Sequence, residues 1–176
     1  MKVICISGHA QSGKDFSADM IRLGLWGYGK RVLITHYADL LKFVCEKFLN
    51  WNGKKDDEGR HLLQYVGTEV IRAENPDYWV NFIIDMLKFF PTRWDYVIIP
   101  DCRFPNEIER MREAGFDVAH IRIERKGFDN GLSDEQKHHS SETALDGTSA
   151  DIVVHNDGTI VDLCRTLHNI VAKWED

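Results

Sequence analysis

Gly8-His9-Ala10-Gln11-Ser12-Gly13-Lys14 sets two glycines and a lysine at a spacing suited to anions. The glycines let the backbone fold back so that successive N–H groups point into one concavity, which attracts negative charge. The apolar run Lys2-Val3-Ile4-Cys5-Ile6-Ser7 before it reads as a buried strand, and a helical pattern follows it. In that context G-x-x-x-x-G-K is a phosphate loop. Its amides and the helix N-terminus hold phosphate oxygens, and the lysine ammonium reaches the outer phosphates. Gly8, Ser12, Gly13 and Lys14 are therefore expected to hold a nucleotide, together with Asp15 and Phe16. Phe16 also falls on the core face of the helix. Asp15 stands where the pattern usually has Ser or Thr, whose hydroxyl holds Mg²⁺. An acid there suits the helix dipole, and it can also reach Mg²⁺ directly or through water.

Three more groups carry chemistry. Asp101 ends the apolar run Trp94–Pro100, with Arg103 two residues on and Glu107 a helical turn later. An acid at the end of a central strand can orient Mg²⁺ and its waters, and an arginine beside it can clamp a phosphate. The competing reading is a helix cap at Asp101 and a surface Arg103–Glu107 ion pair. Arg60 and Gln64 share a helix face, with Arg72 and Trp79 nearby. They could hold an acceptor phosphate and a ring, or be solvated arginines beside a core aromatic. Residues 126–149 have no apolar period and contain Lys137, His138, His139, Ser140, Ser141 and Glu142. The paired histidines lack partners at zinc-ligand spacing. A lid that closes over phosphates, with Arg125 as its cation, competes with a disordered surface loop. Lys14, Asp101 and Arg103 form the expected catalytic set, and Asp15 and Asp101 the expected Mg²⁺ positions.

The elements that must position these residues alternate. Residues 15–27 read as a helix with Phe16, Met20, Leu23 and Trp26 facing the core. Arg31–Tyr37 reads as a strand, and Asp39 begins a helix carrying Leu40, Leu41, Val44, Phe48 and Leu49. Asn50–Gly59 is a polar loop. Residues 60–73, with Leu62, Leu63, Val66, Val70 and Ile71, form a helix that Asn75-Pro76 breaks, and 77–90 form the next. Trp94–Pro100 is a central strand, 104–114 a helix, Phe116–Ile123 a strand, Asp151–His155 a short strand and 159–174 the closing helix. This predicts one α/β domain over residues 1–176: a three-layer sandwich on a mainly parallel five-stranded sheet, its site at the carboxyl ends of the strands.

The chain has 176 residues and a net charge of −6, so nothing would neutralise a run of duplex phosphates, and nucleic acid is not an expected partner. Cys5, Cys45, Cys102 and Cys164 are widely spaced and read as free thiols of a reducing compartment. No apolar run is long enough for a membrane span and no leader is visible, which points to the cytoplasm.

The chain resembles the bacteriophage-type deoxynucleoside monophosphate kinases. The resemblance rests on SGHAQSGKD (7–15), LLQYVGTEVI (62–71) with YWV (78–80), YVIIPDCRFPNE (96–107), HSSE (139–142) and VHNDG (154–158), in the family's order. It makes Asp15 a family feature. It implies a P-loop kinase fold, ATP and Mg²⁺ as cofactors, and transfer of the γ-phosphoryl group to a deoxynucleoside monophosphate. By position it implies that Lys14 holds donor phosphates, while Lys42, Arg60, Gln64, Arg72, Trp79, Arg103, Glu107, Ser141 and Glu142 line the acceptor side. Residues 50–90 would be the acceptor-binding segment. Ala10 and Gln11 stand where relatives can carry basic residues, and Lys54, Lys55 and Arg60 compete for the acceptor phosphate. The animal-type phosphomevalonate kinases are similar in their GKD loop and strand-end Asp-x-Arg. A stacking platform at Gln64–Trp79 would favour a base over a small acid, and burial of that region in the core would weaken the case for a base. A nucleotide-binding regulator or hydrolase would want a switch-like region that the chain does not show. The expected partners are small nucleotides, the expected compartment is the cytoplasm (a host's, if the chain is phage-encoded), and a homodimer is left open.

Overall fold

Lys2–Ser7 (β1) is the middle strand of a five-stranded sheet. The computed structural model describes residues 1–175. Val32–Ile34 (β2), Tyr96–Ile99 (β3), Asp117–Glu124 (β4) and Ile152–His155 (β5) complete the sheet in the order β2-β3-β1-β4-β5, and every neighbouring pair is parallel. Side chains alternate across a strand, so β1 feeds two cores. Val3 and Cys5 pack with Ala38–Phe48 (α2), Tyr78–Phe89 (α4) and Pro105–Glu113 (α5) on one face. Ile4 and Ile6 pack with Lys14–Gly27 (α1) and Ile160–Glu175 (α8) on the other. A parallel sheet needs both faces covered, which explains the continuous apolar runs in β1 and β3. In the numbering used here, α3 is Asp57–Gln64, and α6 and α7 are the short helices Asp134–His138 and Ser140–Thr143.

Four expectations are corrected. The second strand covers only Val32–Ile34, not Arg31–Tyr37. Helix α1 is rotated from the expected face: Ala18, Ile21 and Leu25 are buried, while Leu23 and Trp26 are about half exposed. The cause is packing against α8, where a Cβ on Gly24 would lie 3.3 Å from Val171 Cγ1, and Trp26 instead lies under the Arg22 guanidinium. Phe48, Leu49 and Val70 are likewise exposed. The helix expected at 60–73 starts earlier, at Asp57, because Asp56 Oδ1 accepts the Gly59 N–H at 2.9 Å and caps it.

That helix then widens into a π-helical segment, Tyr65–Arg72. Such widening needs an interruption of the helical hydrogen-bond ladder. Here the Trp79 indole N–H donates to the Gly67 carbonyl at 3.0 Å, and Gly67 lies so close to α2 that a Cβ would come within 2.7 Å of Leu41 Cδ2. The stretch 126–149 also differs from a plain loop. It holds α6, capped by Ser133, and α7, capped by His139, and it is anchored by buried Leu132 and Leu145. Helices that short show no period for a sequence pattern to register.

Candidate active site

The phosphate loop joins β1 to α1. Gly8 and Gly13 sit at φ 141° and 101°, in the left-handed region that a side chain resists. The loop is also crowded, since a Cβ on Gly8 would fall 2.3 Å from the Ile123 carbonyl oxygen and one on Gly13 2.8 Å from Asn156 Nδ2. Asn156 further donates to the Ser12 carbonyl at 2.9 Å, so the turn after β5 braces the loop. Lys14 Nζ folds back to donate to the Gly8 and His9 carbonyls, each at 2.7 Å. Burial, with Arg103 nearby, lowers its pKa to about 8. The Ser12 hydroxyl is buried without a hydrogen-bond partner among the described residues, and Ser12 lines a cavity beside the loop.

A cleft of 430 Å³ runs from this loop to α3 and the π-helical segment. Of the expected residues, it brings together Lys14, Asp15, Lys42, Arg60, Gln64, Arg72, Trp79, Asp101, Arg103, Glu107, Ser141 and Glu142. Ser12 and Arg125 line an adjoining cavity, and Gly8 lines a third beneath α7. Arg125 lies over the Phe128 ring at 3.8 Å. Phe16 reaches none of these cavities, and its side chain packs against the core shared by α1 and α8. Lys55 enters the cleft beside Arg60, whose Nε donates to the Lys55 carbonyl at 3.0 Å, whereas Lys54 stays outside it.

Glu107 organises one wall of the cleft. It is 2% exposed, and burial pushes its carboxyl up while the Arg72 guanidinium opposes that. Oε1 accepts from Arg72 Nη2 at 2.6 Å, and Oε2 from the Arg103 and Phe104 N–H groups at 2.7 and 3.1 Å. The competing reading of a surface ion pair between Arg103 and Glu107 does not hold: their contact is a buried one through the Arg103 backbone, and Arg72 is the ion partner of Glu107. Arg72 also lies 4.0 Å above the Phe104 ring. Asp101 accepts the Tyr37 and Ala38 N–H groups at 2.9 and 3.0 Å. The cap reading of Asp101 therefore holds for the start of α2. Trp79 is 4% exposed and belongs to the core as well as to the cleft wall. Its indole is held edge-on to Tyr78 and does not stand as an open platform.

His36 is the functional candidate missed in the sequence. Its Nε2 lies 3.2 Å from Asp15 Oδ1 and its Nδ1 3.4 Å from Asp39, whose other oxygen accepts from Lys42. The hydrogen bond with Asp15 raises the His36 pKa, and the same contact lowers that of Asp15. Its position just past β2, at the carboxyl edge of the sheet, could have marked it. Thr68 and Gln136 also line the cleft.

The donor set fits the implied cofactors. Asp15 and Asp101 supply two carboxylates to the cleft, which suits a cation that keeps waters and phosphate oxygens as its other ligands. The crowded glycines and the orphaned Ser12 hydroxyl suit a phosphate chain.

A family model for deoxynucleotide monophosphate kinase matches residues 30–167. The chain belongs to this family. It is 34% identical over 114 residues to the deoxynucleotide monophosphate kinase of Enterobacteria phage T4, covering 62% of this chain and 44% of that one. It is 28% identical over 114 residues to the enzyme of the same name from Escherichia phage RB69, covering 64% and 44%. The chain thus spans 44% of the length of the curated relatives it matches. Among solved structures it resembles the Mycobacterium tuberculosis APS kinase in complex with AMPPNP and APS, with a TM-score of 0.58 at 11% identity over 99% of this chain and 98% of that one. It also resembles a gluconokinase from Sinorhizobium meliloti, with a TM-score of 0.54 at 14% identity over 98% and 93%. At such identities the likeness is one of fold, and the fold is that of the P-loop kinases. The matched stretch takes in α3, the π-helical segment, the strand-end Asp-x-Arg and α7. No helix among the described residues is long and apolar enough to cross a membrane.

Proposed function

We propose that this protein transfers the γ-phosphoryl group of ATP to a deoxynucleoside monophosphate. The observation that carries the reading is one cleft with a phosphate loop at one end, Arg60 and Arg72 at the other and Arg103 between them. Two phosphorylated substrates repel each other, so the protein's main task is to hold them in line and offset their charge.

Lys14 is positioned for the donor phosphates. Displacing its contacts to Gly8 and His9 frees the ammonium, and a bound polyanion raises its pKa again. Arg103 stands between the two ends and takes charge from the transferring group. Arg60 and Lys55 hold the acceptor phosphate, and Gln64 and Thr68 meet the nucleoside. Glu107 keeps Arg72 and the Arg103 backbone in place. Asp15 and Asp101 would hold Mg²⁺ through water, and the ion would supply charge neutralisation on the phosphates. The acceptor is already an ionised phosphate, so no strong base is needed. The stretch 126–149, with Arg125 and Ser141, acts as the lid that excludes water. The whole chain works as one kinase domain, with residues 50–90 as its acceptor segment. Both curated relatives are phage proteins, which supports action in the cytoplasm of an infected host.

A coupled assay of ADP release across the four deoxynucleoside monophosphates tests the reading, with mevalonate 5-phosphate as control. Turnover with at least one nucleotide and none with the control is expected. Turnover with the control alone, or with none of them, would overturn it.

A further inference from the structure

The lid segment brings its own anion to the phosphate loop. Glu142, in α7, accepts the Ala10 N–H through Oε2 at 2.9 Å and the Arg103 guanidinium through Oε1. The same guanidinium donates to the Ser141 carbonyl at 2.7 Å. The Glu142 side chain is 6% exposed. Burial alone would push its carboxyl up, but Arg103 outweighs this and holds it below the usual carboxylate range.

A loop amide and a guanidinium that each bind one oxygen of the same carboxylate make an anion seat, and charge-assisted hydrogen bonds to both are strong. The surrounding chain is held without this carboxylate. Leu145 is buried, Arg122 donates to the Leu145 and Thr148 carbonyls, His139 Nδ1 accepts the Ser141 N–H at 3.2 Å, and His9 pairs with Asp146 at 3.4 Å. The carboxylate is therefore not the anchor of its segment. It fills a place whose two donors are what a phosphoryl group in transit would need.

We infer that the space between the Ala10 N–H and Arg103 is the seat of the transferred phosphoryl group, and that Glu142 is its internal occupant, displaced when the donor's terminal phosphate arrives. This rests on the phosphoryl-transfer reading above. A phosphate and the carboxylate cannot share so small a buried site, because like charges there repel strongly. The lid carboxylate therefore competes with ATP more than with ADP, which has no third phosphate. Until a donor binds, it keeps Arg103 paired.

Calorimetric titration of the full chain with AMPPNP and with ADP, in the presence of Mg²⁺, separates the possibilities. Glu142→Gln is expected to bind AMPPNP about tenfold more tightly than the wild type while its ADP affinity changes by less than about twofold. Glu142→Asp, which keeps the charge but draws back from Ala10, should gain AMPPNP affinity by a smaller factor. It serves as the test if circular dichroism shows the Gln variant unfolded. Unchanged or weaker AMPPNP binding in the folded variants, or an equal gain for ADP, would overturn the inference while leaving the phosphoryl-transfer reading intact. Failure of every form to bind either nucleotide would overturn both.

Discussion

The two ends of the cleft are built by opposite means. The donor end is one unbroken stretch, Gly8 to Lys14, that works through backbone N–H groups, glycine conformations and a single side chain. The end proposed for the acceptor, with Arg103 at its boundary, draws Arg60, Arg72, Arg103 and Glu107 from α3, the π-helical segment, the β3–α5 connection and α5. The Arg72 and Arg103 guanidinium groups pair with two different buried carboxylates, Glu107 and Glu142, while Arg60 donates to the Lys55 carbonyl. A site made of main chain takes its shape from the local sequence, with Asn156 as its brace from afar. One made of distant side chains needs the surrounding core to be correct first.

Lys14→Ala should separate the two ends most sharply. Turnover is expected to fall about 100- to 1,000-fold, the scale for loss of one preorganised charge-stabilising group. Thermal unfolding should shift little, since this buried ammonium contributes little to the core. A rate near wild type in a steady-state assay would refute its role.

Glu107→Ala tests the opposite property. It strands the Arg72 guanidinium and frees two backbone N–H groups. Stability should fall by about 3–5 kcal/mol by urea titration, as when one member of a buried ion pair is removed. The KM for the monophosphate should rise more than that for ATP. Equal changes in both would show that the two ends are not separately built.

Trp79→Phe removes the donor to the Gly67 carbonyl and keeps most of the apolar volume. A loss of about 1–3 kcal/mol is expected from the unsatisfied carbonyl. Acceptor KM should rise while ADP affinity, measured by calorimetry, holds. Unchanged stability would mean that the π-helical segment does not need the indole.

The smallest effect concerns what lies under the donor loop. His120 is 1% exposed, its Nε2 lies 2.7 Å from the Ser7 hydroxyl, and burial lowers its pKa below 6.5. The unfolded chain then binds a proton near pH 6.5 that the folded chain refuses, so stability falls as pH drops below that value. A His120→Gln variant should lose this share of the acid sensitivity, worth about 2–4 °C in Tm between pH 7 and 5. An unaltered pH profile of Tm would assign the acid sensitivity to other groups.

Much of the donor end was legible in the sequence because its function is local. Glycine spacing, the flanking strand and the following helix are all read within a short window, and the structure keeps them. The alternation of strands and helices likewise announced a parallel sheet with its site at the carboxyl ends. The acceptor end was legible as residue types but not as contacts. For Arg103 and Glu107 the spacing allowed a cleft-facing role or a surface pair; Glu107 instead turns inward to Arg72, a partner supplied by another helix. Asp101 read as a cap or a metal organiser, and the helix it caps begins far away in sequence. Trp79 was expected on the acceptor side; it lines the cleft, fixed in the wall by its bond to the Gly67 carbonyl.

The sequence by itself determined the phosphate loop, the strand order's parallel character and which residue types face the cleft, since these follow from backbone conformation and apolar period. Tertiary structure alone decided the π-helical widening, the His36–Asp15 contact and the placing of Glu142 on Ala10 and Arg103. Each of these pairs groups from separate elements. Such contacts are set by which surfaces can be buried together, a property of the assembled core that no local stretch of chain encodes.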